Sequence, residues 1–361
     1  MKVLIIGSSK LKYMPYINFY LDNMDKIKNV VHILYWNRDQ NPENTTAYQW
    51  TTLHEFSFYQ KDEVAKQHKL KGFLEYRKFI IKTLSDEKFD FIIVLDTLPG
   101  ILIFDKLKQY YSNRYILDYR DSTYEENLIF RKVIHFVVRH SRFTFVSSDA
   151  FRKYLPRDSN IYTSHNILMD SLKHRNEKIE HNILSDKIRI AFWGIIRDEI
   201  INKEIIQKLG NDEQFELHYY GREQKTALNL KQYIKEMSIT NVFFHGEYQP
   251  EDRYEFVRRT DLIHNIYCDN NTMLAMGNKY YDGIIFYLPQ LCMKGSFMGE
   301  RVFKNGVGIS CDPSEENFSE TVSAYYKKID RTSFESACDN ALLCILSEYN
   351  NGKKIISDFI K

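Results

Sequence analysis

Short apolar runs alternate with longer amphipathic stretches through almost the whole chain, a pattern typical of parallel strands joined by crossover helices. In the first half the apolar runs predict strands at residues 3–6, 30–35, 91–95, 115–118, 143–147 and 161–163. In the second half they predict strands at residues 188–193, 215–220, 242–244, 262–267, 290–293 and 308–311. The pattern therefore predicts an α/β fold made of two successive βα arrays.

The length of the chain and one polar segment divide these arrays into two domains. A chain of 361 residues exceeds the about 100–200 residues typical of one domain. Residues 166–187 are predominantly polar, as expected of a linker. We therefore expect an N-terminal domain at residues 1–170 and a C-terminal domain at residues 187–345. Residues 346–361 are helical in pattern and could cross back to the N-terminal domain.

Composition narrows the classes of function. The net charge of +2 is too small for a nucleic-acid-binding protein, which usually has a strongly basic domain or stripe. The five cysteines show no CxxC pairing, as expected of free thiols in a reducing compartment rather than a disulfide framework or a zinc site. The first apolar run is too short for a signal peptide or a membrane span. We therefore expect a cytoplasmic protein.

The segment DLIHNIYCDNNTMLAMGNKYYDGIIFYLPQLCMK, residues 261–294, is the most informative part of the chain. A short apolar strand leads into a polar loop, then into a helix with Asn278, Lys279 and Asp282, and then into a second apolar strand beginning at Pro289. Such a unit presents a cation and an acid near the loop, where a phosphorylated sugar could bind.

Further cations stand at the start of the second array. Gly194 ends a predicted strand, and Arg197 and Lys203 follow within one crossover. A glycine lets backbone amides approach an anion, and an arginine can hold a diphosphate through two parallel hydrogen bonds. The alternative is that both cations are solvated helix residues.

Acidic side chains follow two predicted strands of the first array. Asp96 ends one strand, and Asp118, Arg120 and Asp121 follow the next in the phrase YILDYRDSTYEEN. Ligands bind at the carboxyl ends of strands in open α/β sheets, so both groups are candidates for a substrate site. Asp96 could serve as a general base for a hydroxyl group. For the second group, a charge cluster that only fixes the loop is an equal alternative.

The segment at 261–294 resembles the donor-binding signature of GT-B glycosyltransferases, in particular the bacterial capsule and O-antigen enzymes of the retaining, family 4-like group. Their signature reads roughly N-K-x-x-E-x-x-x-x-G-x-P, and its acid binds the nucleotide ribose. Asn278, Lys279 and Asp282 match it, with Asp in place of Glu. The first acid of the family's acid pair is absent at Leu274, or displaced to Asp269.

The resemblance extends to other segments. Gly194, Arg197 and Lys203 resemble a G-R-x(n)-K phrase, which implies that the two cations neutralise the leaving nucleoside diphosphate. The phrase FFHGEYQPEDRYEF resembles a turn that contacts the base, which implies donor-side roles for Gly246 and Tyr248. The phrase YILDYRDSTYEEN resembles a D-I-R-D-L-W-P-E stretch, although its Trp-Pro part is missing, so a different acceptor is expected.

The resemblance implies two Rossmann-like, doubly wound domains that face a central cleft. It also implies retaining transfer of a sugar from a UDP- or GDP-sugar to a glycan or lipid-linked glycan in bacterial surface polysaccharide synthesis. Asp96 and Asp121 are then the candidate catalytic residues, with Asp118 and Arg120 on the acceptor side. Two alternatives remain: a catalytically inactive binding or scaffold protein of this fold, and a sugar-nucleotide epimerase.

Absent motifs limit the chemistry further. The N-terminal IIGSSK is not a GxGxxG fingerprint, and the sequence contains no Walker, HExxH or GxSxG motif. No D-x-D motif follows an apolar strand. We therefore expect no cofactor and no metal in the reaction, because side-chain cations and a helix N-terminus can take the place of a divalent ion at the diphosphate.

Residues 127–143, NLIFRKVIHFVVRHSRF, combine Arg131, Lys132, Arg139, His140 and Arg142 with a broad apolar face. A basic amphipathic helix can lie on an anionic membrane, with about 1 kcal/mol gained per nearby cation. A buried crossover helix with charged ends is the commoner explanation of such a pattern. If the segment contacts the inner face of the cell membrane, the acceptor is expected to be a lipid-linked glycan.

Overall fold

Two parallel β-sheets organise the chain, and the computed structural model describes residues 1–60, 66–157, 159–175 and 187–360. The chain divides into two units. The first comprises Met1–His165 together with Ser347–Lys361, and the second comprises Asn166–Leu346.

The first unit contains a sheet of seven strands in the order β3-β2-β1-β4-β5-β6-β7, all paired in parallel. Its strands are β1 (Lys2–Ile6), β2 (Val30–Asn37), β3 (Thr52–Ser57), β4 (Phe91–Leu95), β5 (Tyr115–Tyr119), β6 (Phe143–Val146) and β7 (Ile161–Thr163). The α-helices within residues 1–165 are α1 (Asn18–Leu21), α2 (Lys66–Asp86), α3 (Thr97–Leu102), α4 (Phe104–Tyr111) and α5 (Leu128–His140).

The second unit contains a sheet of six strands in the order β10-β9-β8-β11-β12-β13, also parallel throughout. Its strands are β8 (Ile188–Trp193), β9 (Phe215–Tyr220), β10 (Val242–Gly246), β11 (Leu262–Asn265), β12 (Gln290–Met293) and β13 (Gly308–Cys311). The helices are α6 (Glu199–Leu209), α7 (Lys225–Glu236), α8 (Arg253–Arg258), α9 (Asn278–Ile285), α10 (Phe297–Asn305), α11 (Phe318–Lys328) and α12 (Arg331–Ile360).

The central strands are buried on both faces, which explains why they read as continuous apolar runs. Residues 3–6 of β1 and 92–95 of β4 have no exposed surface. In each sheet the strand order reverses at one point, between β1 and β4 in the first and between β8 and β11 in the second. Ligands of doubly wound sheets bind beyond the carboxyl ends of the strands at such a switch point. The predicted α/β architecture of two doubly wound parallel sheets is confirmed.

The predicted strands are all present, with ends that differ by at most two residues. The strand predicted at 262–267 ends at Asn265, and the strand predicted to begin at Pro289 begins at Gln290. The sequence pattern missed β3, because three of the six residues of this edge strand are exposed and only Phe56 is buried, so no apolar run marks it.

Helix α12 belongs to both units, since its residues from Ser347 onward cluster with the first. The ring of Tyr349 packs on Phe19 at 5.0 Å, and the ring of Phe359 packs on Phe91 at 4.6 Å. Of the polar segment predicted as a linker, residues 176–186 lie outside the described ranges. Its earlier part is tied to the second unit, because Asn166 donates to the carbonyl oxygen of Met276. None of the described helices is long and apolar enough to cross a membrane.

Candidate functional site

A buried lysine marks the carboxyl end of β8 in the second unit. The ammonium group of Lys279 donates to the carbonyl oxygen of Trp193 at 3.0 Å and to the hydroxyl of Tyr267. It also lies 4.1 Å from the ring centroid of Phe192. Burial lowers the pKa of Lys279 to about 7, and the nearby charge of Arg197 acts in the same direction. Lys279 is therefore a cation that an anion would stabilise in its charged form.

One helical turn further along α9, Asp282 is buried beside two donors. The indole N–H of Trp193 donates to its Oδ2 at 2.9 Å, and a guanidinium nitrogen of Arg253 lies 3.6 Å from the same oxygen. Arg253 is in turn fixed by a hydrogen bond to the hydroxyl of Ser171 at 2.6 Å. Burial raises the pKa of Asp282, whereas Arg253, Trp193 and Lys279 oppose that shift. The carboxylate is thus held in one position by groups from two other segments, β8 and α8.

The backbone around this cluster is shaped by glycine. Gly194 has a φ of +127°, and an added Cβ atom on it would lie 3.8 Å from the ammonium nitrogen of Lys279. Gly221, at the end of β9, approaches Gly194 so closely that an added Cβ would lie 1.8 Å from the Gly194 carbonyl oxygen. Helix α9 begins after Gly277 without a side-chain cap, and a Cβ there would contact nothing within 4 Å. This helix N-terminus is therefore not covered by a side chain of its own cap.

The remaining donor-side residues predicted from the sequence lie at different distances from this cluster. Arg197 is exposed, and its guanidinium lies 5.8 Å from the ring centroid of Tyr267, the hydroxyl partner of Lys279. The charges of Arg253 and Asp282 act on the pKa of Tyr248, which burial raises to about 12. Gly246 ends β10 with a φ of +80°, and Asn278 is exposed in the first turn of α9. Lys203 is not joined to the cluster: its ammonium lies over the ring of Tyr233, at 4.5 Å from the centroid.

In the first unit, Asp96 sits at the carboxyl end of β4 with an unusual backbone. Its φ of +67° lies in the left-handed region, which is uncommon for any residue other than glycine and often marks a functional site. The hydroxyl of Tyr16 donates to its Oδ2 at 3.1 Å. Burial raises the pKa of Asp96 to about 7, and the negative charges of Asp121 and Asp118 add to the shift. A carboxyl group with this pKa can exchange a proton near neutral pH.

Beside it, at the end of β5, a buried ion pair joins Asp118 and Arg120 at 2.8 Å. The same guanidinium donates to the hydroxyl of Ser164 at 2.8 Å and lies over the ring of Tyr16 at 4.4 Å. Asp121 is exposed. The first unit therefore brings Asp96, Asp118 and Arg120 together through Tyr16, and Asp121 acts on Asp96 through its charge.

Solved structures resemble the chain over nearly its whole length. The sucrose-phosphate synthase of Thermosynechococcus elongatus aligns with a TM-score of 0.69 at 10% identity, over 100% of this chain and 97% of that one. HepE of Anabaena, solved in complex with UDP and glucose, aligns with a TM-score of 0.66 at 13% identity, over 100% and 99%. The chain has the GT-B fold. No protein-family model and no curated protein matches the sequence.

A third similar structure is named as an epimerase. The putative UDP-N-acetylglucosamine 2-epimerase of Listeria monocytogenes aligns with a TM-score of 0.59 at 11% identity, over 97% of both chains. At such identities the likeness establishes the GT-B fold and leaves the reaction to be argued from the residues of this chain.

Sequence reasoning missed three residues of the two clusters in this GT-B fold. Trp193 is the last residue of β8, directly before Gly194, and a buried indole there is a signal that a hydrogen-bond acceptor is near. Tyr16 follows β1 in an aromatic segment, PYINFY, that gives no indication of its partner. Arg253 lies in the charged phrase PEDRYEF, where it is indistinguishable from a solvated helix residue.

Helix α5 was predicted as a basic amphipathic segment, and its faces are now defined. Ile134, Val137 and Val138 are buried, so one face packs into the first unit. Its first turn is different, because Leu128 and Ile129 are 68% and 76% exposed.

Proposed function

We propose that the chain is a glycosyltransferase that transfers a sugar from a nucleoside diphosphate sugar to a glycan or lipid-linked glycan. The observation that carries this proposal is the arrangement of Lys279, Arg197 and Asp282 at the switch point of the second sheet. Two cations and a buried carboxylate meet there beside the start of α9. This combination suits a diphosphate and a ribose, respectively.

In the proposed donor complex, Lys279 and Arg197 hold the diphosphate. A bound anion would favour the charged form of Lys279, whose ammonium is otherwise disfavoured by burial. Trp193 and Arg253 both approach Oδ2 of Asp282, so we assign Oδ1 to the ribose hydroxyls. We place the base beside the turn that holds Tyr248. Lys203 is left out of the diphosphate contacts, since its ammonium lies over Tyr233.

On the acceptor side, Asp96 is the proposed base. In the transfer, the acceptor oxygen bonds to the anomeric carbon, and the bond from that carbon to the phosphate oxygen breaks. The electron pair leaves with the nucleoside diphosphate, and the acceptor proton goes to Asp96. Asp96 is preferred over Asp121 because it is hydrogen-bonded, strained in its backbone and has a pKa near the working range. Asp118 and Arg120 then orient the acceptor or the loop that binds it.

The exposed first turn of α5 supports an acceptor held at a membrane surface. Leu128 and Ile129 are exposed apolar side chains, and Arg131 and Lys132 follow after Phe130. An apolar tip with adjacent cations favours contact with anionic lipid. We therefore propose a peripheral role at the inner face of the cell membrane, in the assembly of a bacterial surface polysaccharide.

A second candidate function is suggested by the epimerase among the structural neighbours. An epimerase would invert one carbon of the sugar while it is still attached to the nucleotide. It would therefore need no acceptor. The Asp96 and Asp118 groups of the first unit are the acids that this chain could supply for such a step.

One experiment separates these functions. The full chain is incubated with UDP-glucose, UDP-N-acetylglucosamine and GDP-mannose in turn, each with EDTA and with or without a lipid-linked glycan extract. Acceptor-dependent release of one nucleoside diphosphate, abolished in Asp96→Asn, supports the transferase. Conversion of the sugar nucleotide without acceptor, followed by NMR of the sugar ring protons, indicates the epimerase. Nucleotide binding without either reaction would leave the scaffold alternative.

A further inference from the structure

Two histidines and a glutamate converge near the amino-terminal ends of strands β2 and β3 in the first sheet. His32 is the third residue of β2, His54 is the third residue of β3, and Glu87 follows the end of α2. One nitrogen of each imidazole and one carboxylate oxygen all lie within 4.8 Å of one another. The strands are parallel, so this cluster lies near their amino-terminal ends, whereas Asp96 and Asp118 lie near the carboxyl ends. It has no part in the proposed transfer.

The two imidazoles are held in defined positions. Nδ1 of His32 lies 2.8 Å from Nε2 of His54, and the two rings stack at 5.1 Å with an angle of 17°. The ring of Phe89 packs edge-on against His32 at 5.2 Å. Nε2 of His32 faces Oε2 of Glu87 at 3.5 Å. The nitrogen ligands are thus preorganised by packing, and Glu87 is the movable member.

The chemistry of the three groups matches one class of ion. Neutral imidazole nitrogens and a carboxylate oxygen are ligands of Zn²⁺. The hydrogen bond between Nδ1 of His32 and Nε2 of His54 requires a ring nitrogen with a free lone pair on one of the two histidines. Only the neutral ring has a lone pair to give to a metal ion.

A competing cation is already in place. The ammonium group of Lys2 pairs with the carboxylate of Glu87 and lies 5.4 Å from the ring centroid of Phe89. Glu87 therefore lies where the fold favours a positive charge. A metal ion would have to displace Lys2 from the carboxylate, so Lys2 should weaken metal binding.

We propose that His32, His54 and Glu87 bind one divalent transition-metal ion of the Zn²⁺ class. With ligand bonds of about 2.0–2.1 Å, the edge of a tetrahedral site measures about 3.3 Å. Nδ1 of His32 and Nε2 of His54 are 2.8 Å apart, so the two rings must separate slightly and the Glu87 side chain must rotate toward them to bind the ion, with water in the fourth position. Because β3 is the edge strand of the sheet, the ion fastens it to β2 and to the end of α2.

The test is calorimetric titration of the full chain, freed of metal with a chelator, with zinc chloride and with magnesium chloride. We expect one Zn²⁺ ion per chain and no binding of Mg²⁺, which prefers oxygen ligands. His54→Ala and Glu87→Gln each remove one ligand. Each should weaken zinc binding by at least about tenfold, since even outer-shell changes at metal sites cost that much. Both side chains are partly exposed, so the fold is expected to survive.

Two further variants sharpen the result. Lys2→Met removes the competing cation and should tighten zinc binding. His245→Ala is the matched control. Nε2 of His245 lies 3.0 Å from Nδ1 of His218, and Nε2 of His218 lies 3.6 Å from Glu216, but among the described residues the ligand atoms of these three do not all lie within 4.8 Å of one another. It should bind zinc as the wild type does. The proposal is wrong if the wild type binds no Zn²⁺, if His54→Ala and Glu87→Gln bind it normally, or if His245→Ala abolishes binding.

The thermal midpoint gives an independent readout. Zinc should raise the midpoint of the wild type, because the ion binds the folded chain and not the separated strands. The same zinc concentration should leave the midpoint of His54→Ala unchanged. An equal rise in both proteins would contradict the proposed site.

Discussion

The indole N–H of Trp193 donates to Oδ2 of Asp282 at 2.9 Å, across 89 positions of sequence. This hydrogen bond joins the end of β8 to the middle of α9. It fixes the carboxylate that we assign to the ribose of the donor. Without this donor, the buried carboxylate would destabilise the fold and its side chain could move within the site.

Replacing Trp193 with Phe tests this relationship. The ring contact with Phe256, now at 5.6 Å, can be kept in part, whereas the N–H is lost. We expect the free energy of unfolding to fall by about 1–3 kcal/mol and UDP to bind several-fold more weakly. Urea denaturation and calorimetry measure the two effects.

The control is Trp36→Phe in the first unit, where the indole donates to the carbonyl oxygen of Phe58 at 2.9 Å. It should lose stability by a similar amount and bind UDP normally. Unchanged UDP affinity in Trp193→Phe would refute the role given to the indole.

The lowered pKa of Lys279 predicts that nucleotide binding depends on pH. Its pKa is lowered to about 7, so the free protein loses this positive charge as the pH rises above 7. If only the ammonium form holds the diphosphate, the dissociation constant for UDP should rise by about tenfold between pH 7.0 and 8.5. The phosphates of UDP are already ionised over this range. Calorimetry at the two pH values measures the change.

Lys279→Met is the control for that dependence. It should bind UDP weakly at both pH values, with little change between them. A wild-type pH dependence that persists in Lys279→Met would show that another group titrates.

Asp96 predicts opposite effects on activity and on stability. Burial raises its pKa to about 7 in the folded chain, well above the unfolded value of about 3.9. Its charge therefore costs stability as the pH rises from about 4 through 7. Asp96→Asn should be more stable than the wild type at pH 8, by about 1–3 kcal/mol, because the buried charge is gone. The same variant should lose most of its transfer activity.

The pH profile of kcat/KM tests the assignment of Asp96 as a base. The base must be ionised, so the acid limb of the profile should rise with pH through about 7, and kcat/KM should fall again at higher pH as Lys279 loses its charge. Tyr16 donates a hydrogen bond that lowers the pKa of Asp96. Tyr16→Phe should therefore move the rise to higher pH while the enzyme still turns over. A profile that stays in place in Tyr16→Phe would argue against Asp96.

Arg189 and Asp261 form a buried pair that should matter for folding alone. The guanidinium makes two hydrogen bonds to the carboxylate, at 2.8 and 2.9 Å. Asp261→Ala leaves a buried cation without its anion and should cost about 3–5 kcal/mol in urea denaturation. The exposed pair Lys294–Glu315 is the comparison, since Glu315→Ala should cost less than about 1 kcal/mol. Similar losses in both variants would contradict this reading of the pair.

The sequence predicted the fold better than the site. Strands are marked by local runs of apolar residues, whereas the site depends on contacts between residues far apart in sequence. Strands such as β1 and β8 are buried on both faces, so the requirement to be apolar is visible residue by residue. The edge strand β3 has only one buried residue, Phe56, so it forms no apolar run. Its existence depends on pairing with β2, which no local pattern shows.

The cluster that we propose as the donor site could be predicted only where its residues are neighbours in sequence. Lys279 and Asp282 share one turn of α9, and the N-K-x-x-D pattern places them together. Trp193 and Arg253 reach Asp282 from β8 and α8, and these contacts follow from the order of the strands rather than from any motif. For the same reason the sequence placed Lys203 in the crossover that contains α6 but did not show which way its side chain points. Its ammonium lies over the ring of Tyr233.

The most direct test of the account is calorimetric titration of the full chain with UDP, GDP, CMP and ADP in EDTA. The variants are Arg197→Ala and Asp282→Asn, with Lys203→Ala as a cation control from the same unit. The account predicts that one nucleoside diphosphate binds without metal, that both site variants lose at least about tenfold in affinity, and that Lys203→Ala binds normally. If no nucleotide binds, or if Arg197→Ala and Asp282→Asn bind as tightly as the wild type, the donor site is not where we place it.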